Sequence, residues 1–295
     1  MITKYLNDVY KDFEDYLESG NRLCKLKSVN YDTGEFPDYT DINIQQYYLL
    51  RYAYGYECEY RVMFEDLLEM FPSLRQQNFT TLSIGCGAGL DAMGMFSVLG
   101  PFSGARYVGI DIVDWNYKFT GRNVNYMCSD ILECLSNTEE QIPIDVLCFP
   151  KSISEFNDGQ IVEIVQNIAR INANKYIYLL VSLRANEIKI NEDLEKTELF
   201  CKEFKKYGYE KKAGNKSNEY KVFTNQNDSI YKNNGNHAYP NEALEVVKAL
   251  NEYCIIYDKK GENCPLCDPK RLQRWPILKV GVVAYQIFYL EKETN

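Results

Sequence analysis

The sequence predicts an α/β fold in which a mostly parallel β-sheet is covered by helices on both faces. Strand-like apolar segments alternate with segments of helical spacing through the middle of the 295-residue chain, and this alternation requires crossover connections between parallel strands. Two more strand-like segments predict an antiparallel pair near the carboxyl terminus. We therefore expect a helical cap at residues 1–78 and an α/β domain at residues 79–295.

Two helices are predicted before the first strand. Residues 4–19 place apolar side chains at three- and four-residue spacing, and Gly20 follows as a typical helix stop. Residues 41–71 predict a second helix, rich in tyrosine, which ends before Pro72 and is broken near Gly55.

Five predicted strands follow, and the chain then changes character. The strands lie at 80–84, 107–112, 124–127, 145–149 and 176–183, with the clearest helices at 91–99, 159–173 and 194–207. Residues 220–224 and 280–290 predict an antiparallel pair at the sheet edge. An insertion at about 225–279 separates these last two strands.

Composition excludes several classes of function. The chain has 33 Lys and Arg against 42 Asp and Glu, and the net charge of −9 disfavours a nucleic-acid coat protein or a polybasic membrane binder. A single histidine, His237, excludes mechanisms that need two or more histidines. Scattered cysteines within apolar runs are typical of reduced thiols, and no signal-peptide pattern occurs at the start. We expect a cytoplasmic protein without a membrane partner.

A glycine-rich turn follows the first predicted strand. Glycines let the backbone approach a ligand closely, and the next helix offers unpaired N–H groups. Asp111 ends the second strand, where it can accept hydrogen bonds from ribose hydroxyls. Asp130 follows the third strand, where it can reach an adenine amino group. The residues of the turn are Gly85, Cys86, Gly87, Ala88 and Gly89.

The glycine spacing distinguishes two nucleoside-binding classes. A dinucleotide fingerprint needs its third glycine at position 90, where this chain has Leu90, so an NAD(P)-linked oxidoreductase is disfavoured. The pattern instead resembles that of the class I S-adenosylmethionine (SAM) dependent methyltransferases. Their first motif is matched by the turn at 85–89, their second by Gly109-Ile110-Asp111 and their third by Ser129-Asp130.

The resemblance implies a three-layer, Rossmann-like sheet with an antiparallel final strand, and SAM as the cofactor. The family usually has an acid two residues before the first glycine. This chain has Ser83 there, which leaves Asp91 or a tyrosine hydroxyl as a substitute. The cofactor-binding residues that the resemblance and the tyrosine-rich helix add to the turn, Asp111 and Asp130 are Ile112, Ile131, Pro150, Arg51 and Tyr54.

The methyl acceptor is expected next to the segment after the fourth strand. Lys151 and Glu155 are the polar candidates for catalytic residues there, with a surface or capping residue as the alternative for each. A DNA amino-methyltransferase is disfavoured because the family's double proline is missing after Pro150. The acceptor itself, a small molecule or RNA, is not identified by any motif. A non-catalytic SAM- or nucleoside-binding sensor or scaffold is the alternative function.

Two further features lie mostly in the carboxyl-terminal third. Cys264 and Cys267 have the spacing of a zinc knuckle, with a redox pair or an ordinary turn as alternatives. Basic residues are concentrated at 202–221 and 268–279, where they can engage RNA or another anionic acceptor, or form a solvated surface.

Overall fold

The computed structural model describes residues 1–18, 37–100, 103–184, 187–224 and 282–293. The predicted insertion at about 225–279 lies outside the described residues, as do His237, the basic stretch at 268–279 and the predicted zinc ligands Cys264 and Cys267. The chain divides into two compact units. The predicted boundary at residue 78 stays a prediction.

The first unit contains the described residues of Met1–Cys58 and of Trp115–Phe119. Helix α1, Ile2–Glu18, buries Leu6, Val9 and Phe13, as its three- and four-residue spacing predicts. The Phe13 ring stacks on Tyr47 of helix α2, Ile42–Met70, with centroids 6.4 Å apart.

The predicted break near Gly55 is wrong, because α2 continues unbroken from Ile42 to Met70. One glycine in a helix costs only about 1 kcal/mol relative to alanine. The apolar residues buried on both sides of it, Leu49, Leu50, Met63 and Phe64 among them, outweigh that cost.

The second unit is built on an eight-stranded sheet, counted over the described residues. Its hydrogen-bonded order is β3-β2-β1-β4-β5-β8-β6, and β7 pairs with β8 outside this path. Strands β1 to β5 are parallel, whereas β8 is antiparallel to β5, β6 and β7. The predicted fold class, an α/β sheet that is mostly parallel with an antiparallel final strand, is confirmed. The strands are β1 Thr80–Ile84, β2 Arg106–Asp111, β3 Val124–Cys128, β4 Val146–Pro150, β5 Tyr176–Leu183, β6 Tyr209–Gly214, β7 Lys221–Thr224 and β8 Val282–Lys292.

Helices cover the sheet, and the apolar core lies between the helices and the strands. Residues of β4 and β5 are buried almost throughout, which requires packing on both faces. The apolar core includes Leu147, Phe149, Ile164, Ile168 and Phe200. The helices of this unit that follow α2 are α3 Leu90–Leu99, α4 Ile131–Ser136, α5 Asp158–Ile171 and α6 Glu187–Lys206, with short 3₁₀ turns at Pro72–Gln76 and Ile153–Glu155.

The position of the last strand differs from the prediction. The pairing of β7 with β8 is as predicted, but β8 lies inside the sheet between β5 and β6 rather than at its edge. The sequence did not predict β6, whose residues Glu210, Lys211 and Lys212 give it little strand character. An edge strand tolerates such charges because one side of it has no neighbour in the sheet.

No helix among the described residues is both long enough and apolar enough to cross a membrane.

Candidate functional site

The glycine turn follows the carboxyl end of β1, and its three glycines have a left-handed backbone conformation. Its glycines have φ angles of 68° at Gly85, 55° at Gly87 and 73° at Gly89, values that side-chain-bearing residues rarely adopt. The N–H of Gly85 donates to the carbonyl of Ile110 on β2 at 2.8 Å, and the N–H of Gly89 donates to Cys86. The turn is therefore held against the end of β2.

Close packing is a second reason for two of these glycines. A Cβ atom on Gly89 would lie 1.9 Å from the Tyr126 hydroxyl, and a Cβ atom on Gly85 would lie 2.5 Å from Cβ of Ser152. The Ser152 hydroxyl also donates to the carbonyl of Ile84 at 2.5 Å. The start of the turn is thus fixed by the segment that follows β4.

Asp111 lies at the carboxyl end of β2, as predicted, and contacts the turn directly. Its Oδ2 accepts a hydrogen bond from the N–H of Gly87 at 2.7 Å, and its Oδ1 accepts one from Val113 at 2.9 Å. Ile112, between them, has 73% of its side chain exposed. A half-buried carboxylate beside an exposed apolar side chain matches the chemistry of a ribose next to a base.

Asp130 has a structural partner of its own. It is the N-cap of α4, and its Oδ1 accepts hydrogen bonds from Leu132 at 2.7 Å and Glu133 at 3.4 Å. Ile131 is buried at the start of the same helix. The cap explains why an acid follows β3, and the contact of Asp130 and Ile131 with adenine stays a prediction.

A buried acid lies behind the turn, near the serine that occupies the usual acid position. The Ser83 hydroxyl donates to Oδ2 of Asp91 at 2.6 Å, and the Tyr107 hydroxyl donates to Oδ1 at 2.8 Å. Asp91, Ser83 and Tyr107 have no exposed surface. Burial raises the pKa of Asp91 to about 6.

Lys151 follows Pro150 at the carboxyl end of β4 and has a φ angle of 66°, unusual for a residue with a side chain. Its ammonium lies 2.7 Å from Oε1 of Glu59 and donates to the carbonyl of Leu183 at 2.9 Å. The Ser182 hydroxyl donates to the same Glu59 oxygen at 2.5 Å. Burial raises the pKa of Glu59, against the charge of Lys151 and this hydrogen bond. A strained backbone that holds a buried ion pair is characteristic of functional sites.

Glu155 ends the 3₁₀ turn after β4 and is accessible to solvent. Protein atoms around it nevertheless limit its hydration. This partial dehydration, with the negative charge of Asp111, raises the pKa of Glu155 to about 7, and the Arg184 guanidinium opposes the shift. Arg184 is itself paired with buried Asp193 at 2.8 Å. A carboxyl group that titrates near neutral pH is suited to accept a proton.

Sequence reasoning missed three polar residues at this edge of the sheet, Ser182, Arg184 and Asp193, and did not predict the partners of Glu59. Glu59 lies on α2, far in sequence from its partners, and the same helix carries Glu57 and Arg61 next to it, so charge alone does not single it out. Ser182 and Arg184 could have been found from their position at the carboxyl end of β5, because the carboxyl ends of parallel strands lie together at one edge of a sheet.

Two other predicted cofactor-binding residues lie on the part of α2 that belongs to the first unit. Arg51 and Tyr54 belong to the first unit, where the Arg51 guanidinium lies 4.8 Å from the centroid of the Tyr52 ring. Their contact with a donor stays a prediction. Within the described part of the chain, no group of three or more His, Cys, Asp or Glu side chains is arranged to hold a metal ion.

The structure gives little support for a cysteine nucleophile or for an anion-binding surface at residues 202–221. Burial raises the pKa of the Cys86 and Cys148 thiols well above the ordinary value, which disfavours a thiolate nucleophile. Within residues 202–221, several lysines are paired with acids. These pairs are Lys205–Glu210, Lys206–Glu203, Lys212–Glu210, Lys216–Glu219 and Lys221–Asp66.

A surface cavity of about 460 Å³ lies elsewhere in this unit. Arg75, Asn78 and Gly104 are among its lining residues, which precede β1 and β2. Because the glycine turn and Asp111 follow those strands, the cavity lies at the opposite edge of the sheet and is not part of the candidate site.

The strand order, with antiparallel β8 between β5 and β6, is that of the class I SAM-dependent methyltransferase fold. We base this assignment on the topology. No protein-family model matches the chain, and no curated protein matches it.

Solved structures that are similar to the chain include three methyltransferases. A SAM-dependent methyltransferase from Archaeoglobus fulgidus is 16% identical over 79% of this chain and 94% of its own, with a TM-score of 0.40. The plantazolicin methyltransferase in complex with SAH is 15% identical over 95% and 99%, with a TM-score of 0.38. The 1,6-didemethyltoxoflavin-N1-methyltransferase of Burkholderia thailandensis is 10% identical over 81% and 80%, with a TM-score of 0.40.

Proposed function

We propose that this protein transfers a methyl group from SAM to an acceptor that loses a proton in the reaction. One observation carries the proposal. The glycine turn, Asp111 and Glu155 follow β1, β2 and β4, which are parallel neighbours, so all three lie at one edge of the sheet. A nucleoside site and a proton acceptor are therefore adjacent.

The residues around the turn fit an adenosyl donor. The left-handed glycines carry no side chain that would keep a ligand away from the backbone of the turn. Asp111 would hold the ribose hydroxyls, and exposed Ile112 would pack on the adenine ring. Asp130, Ile131 and Pro150 would complete the surroundings of the base and the donor. When bound, SAM supplies an electrophilic methyl group, which leaves sulfur as the acceptor atom forms its bond to carbon.

The acceptor would lie beside the segment 151–155. Glu155 would take the proton from its N–H or O–H group, because a carboxylate with a pKa of about 7 remains largely ionised just above neutral pH. The Lys151 ammonium, fixed by Glu59 and Leu183, would orient the acceptor by hydrogen bonding. The charge of Glu59 offsets that of Lys151, so the pair does not oppose the approach of a cationic sulfonium.

Calorimetry on the folded protein tests the proposal. SAM and S-adenosylhomocysteine (SAH) are titrated into separate samples, and NAD is titrated as the control for the alternative dinucleotide-binding class. We expect binding of both adenosyl ligands and none of NAD. If circular dichroism shows a folded protein but neither adenosyl ligand gives a signal, the proposal is refuted.

The same protein then separates an enzyme from a sensor. Incubation with methyl-labelled SAM and fractionated small molecules or RNA should transfer label to one fraction, with SAH formed in equal amount. Binding of SAM without transfer to any fraction would favour the non-catalytic sensor.

A further inference from the structure

Asp91 is a buried carboxylate directly behind the glycine turn. It is the second residue of α3, which begins after Gly89, and it has no exposed surface. An acid in the first turn of a helix is stabilised by the helix dipole, and the N–H groups of Asp91 and Ala92 reach its carboxylate.

Its two oxygens connect the elements on both sides of the turn. Ser83 lies on β1, two residues before Gly85, and donates to Oδ2 at 2.6 Å. Tyr107 lies on β2 and donates to Oδ1 at 2.8 Å. One carboxylate therefore joins β1, β2 and α3, the three elements that determine the shape of the turn.

This carboxylate has no cationic partner in the part of the chain that the structure describes. No lysine or arginine among those residues forms an ion pair with Asp91, and the nearby titratable groups are Tyr107, Cys86 and Cys148. Removing water from a carboxylate without pairing it costs free energy. A cationic ligand group near the turn would recover part of that cost.

We propose that Asp91 is the positioning acid of the donor turn. It replaces the acid that the methyltransferase family usually has at the position of Ser83. Held by Ser83 and Tyr107, its carboxylate fixes the turn and supplies negative charge for a ligand that carries an ammonium or sulfonium group. This assignment rests on the proposed function, because it concerns the same ligand. Asp91 acts through the turn and not by contact, since it is fully buried.

Exchanging the acid and the serine tests this assignment. The variants are Asp91→Ser, Asp91→Asn, and the double exchange Ser83→Asp with Asp91→Ser. Asp158→Asn is a matched control, because Asp158 is also a first-turn acid but is exposed at the start of α5. SAH and SAM affinities are measured by calorimetry, and thermal unfolding without ligand shows which variants are folded.

We expect Asp91→Ser and Asp91→Asn to weaken binding of both ligands about tenfold or more, as the loss of charge-assisted hydrogen bonds predicts. The double exchange should recover most of the lost affinity, because carboxylate and hydroxyl occupy the same pair of positions in reverse. If affinity recovers when the carboxylate is moved to position 83, the single variants lost a positioning acid and not merely stability. Asp158→Asn should bind like the unaltered protein.

Two results would overturn the assignment. The first is wild-type affinity in folded Asp91→Asn; the second is a folded double exchange that binds no better than Asp91→Ser. Both differ from failure of the proposed function, in which the unaltered protein itself binds neither SAM nor SAH.

Discussion

The Asp111 carboxylate accepts a hydrogen bond from the N–H of Gly87 at 2.7 Å. This contact joins the acid after β2 to the middle of the glycine turn after β1, although the two residues are 24 positions apart. The hydrogen bond fixes the carboxylate beside the turn, so the turn and the acid form one preorganised site.

Replacing Asp111 tests whether this site binds the donor. Asp111→Ala should weaken SAH binding roughly 10- to 100-fold, because charge-assisted hydrogen bonds to the ribose are lost. Asp114→Ala, three residues later, is the control and should leave the affinity unchanged. Calorimetry measures both. Equal affinity of the Asp111 variant and the unaltered protein would exclude a ribose contact.

The acidity of Glu155 should respond to its neighbour. Because the negative charge of Asp111 raises the pKa of Glu155, Asp111→Asn should shift this pKa below its value of about 7. Carbon-13 NMR of labelled glutamate side chains measures the shift, and Glu155→Gln assigns the signal. A pKa that stays near 7 in Asp111→Asn would show that the charge of Asp111 contributes little beside the partial dehydration of Glu155.

The ion pair between Lys151 and Glu59 should be strongly coupled. Glu59→Gln or Lys151→Met alone should lower the free energy of unfolding by about 3–5 kcal/mol, because each leaves a largely buried charge unpaired. The double variant should lose clearly less than the sum of the two. Urea unfolding measures this cycle.

The exposed pair Lys216–Glu219 is the control for that cycle. Its two side chains are 77% and 54% exposed, so removing either should change the unfolding free energy little. Additive losses at Lys151 and Glu59 would contradict the coupling.

Gly89 should tolerate alanine much less well than Gly208. Both have positive φ angles, 73° and 83°, so each substitution costs about 1–2 kcal/mol of backbone strain. At Gly89 the new Cβ would also overlap the Tyr126 hydroxyl, whereas nothing lies within 4 Å of a Cβ on Gly208. We expect a total loss of about 3 kcal/mol or more for Gly89→Ala, measured by urea unfolding. Similar losses at both positions would mean that Tyr126 moves aside.

Asp91 should make stability depend on pH in an identifiable direction. Because its pKa is raised from 3.8 to about 6 by folding, the folded state binds more protons in this range. Its contribution is therefore complete below pH 4 and is lost as the pH rises through 6, by about 3 kcal/mol in total. Comparing urea unfolding of the unaltered protein with that of Asp91→Asn between pH 4 and 7 isolates this contribution. A constant difference between the two proteins would show that Asp91 does not titrate there.

Much of the fold could be predicted from local patterns. Strands β1 and β5 have the predicted bounds, β2 and β4 are each shifted by one residue, and β3 is one residue longer than predicted. The reason is that buried parallel strands are short apolar runs bounded by turns. Strand β6 was missed because edge position, which the local sequence does not encode, is what permits its charged residues.

The sequence by itself determined the class of fold and the donor turn, since alternating strands and helices, closely spaced glycines and an acid after β2 are local features. Only the tertiary structure decided that Asp91 lies on Ser83 and Tyr107, that Glu59 pairs with Lys151, and that β8 enters between β5 and β6. Each of these contacts joins residues on different elements of the fold. Their formation depends on which elements pack together, and no spacing within a single segment records that.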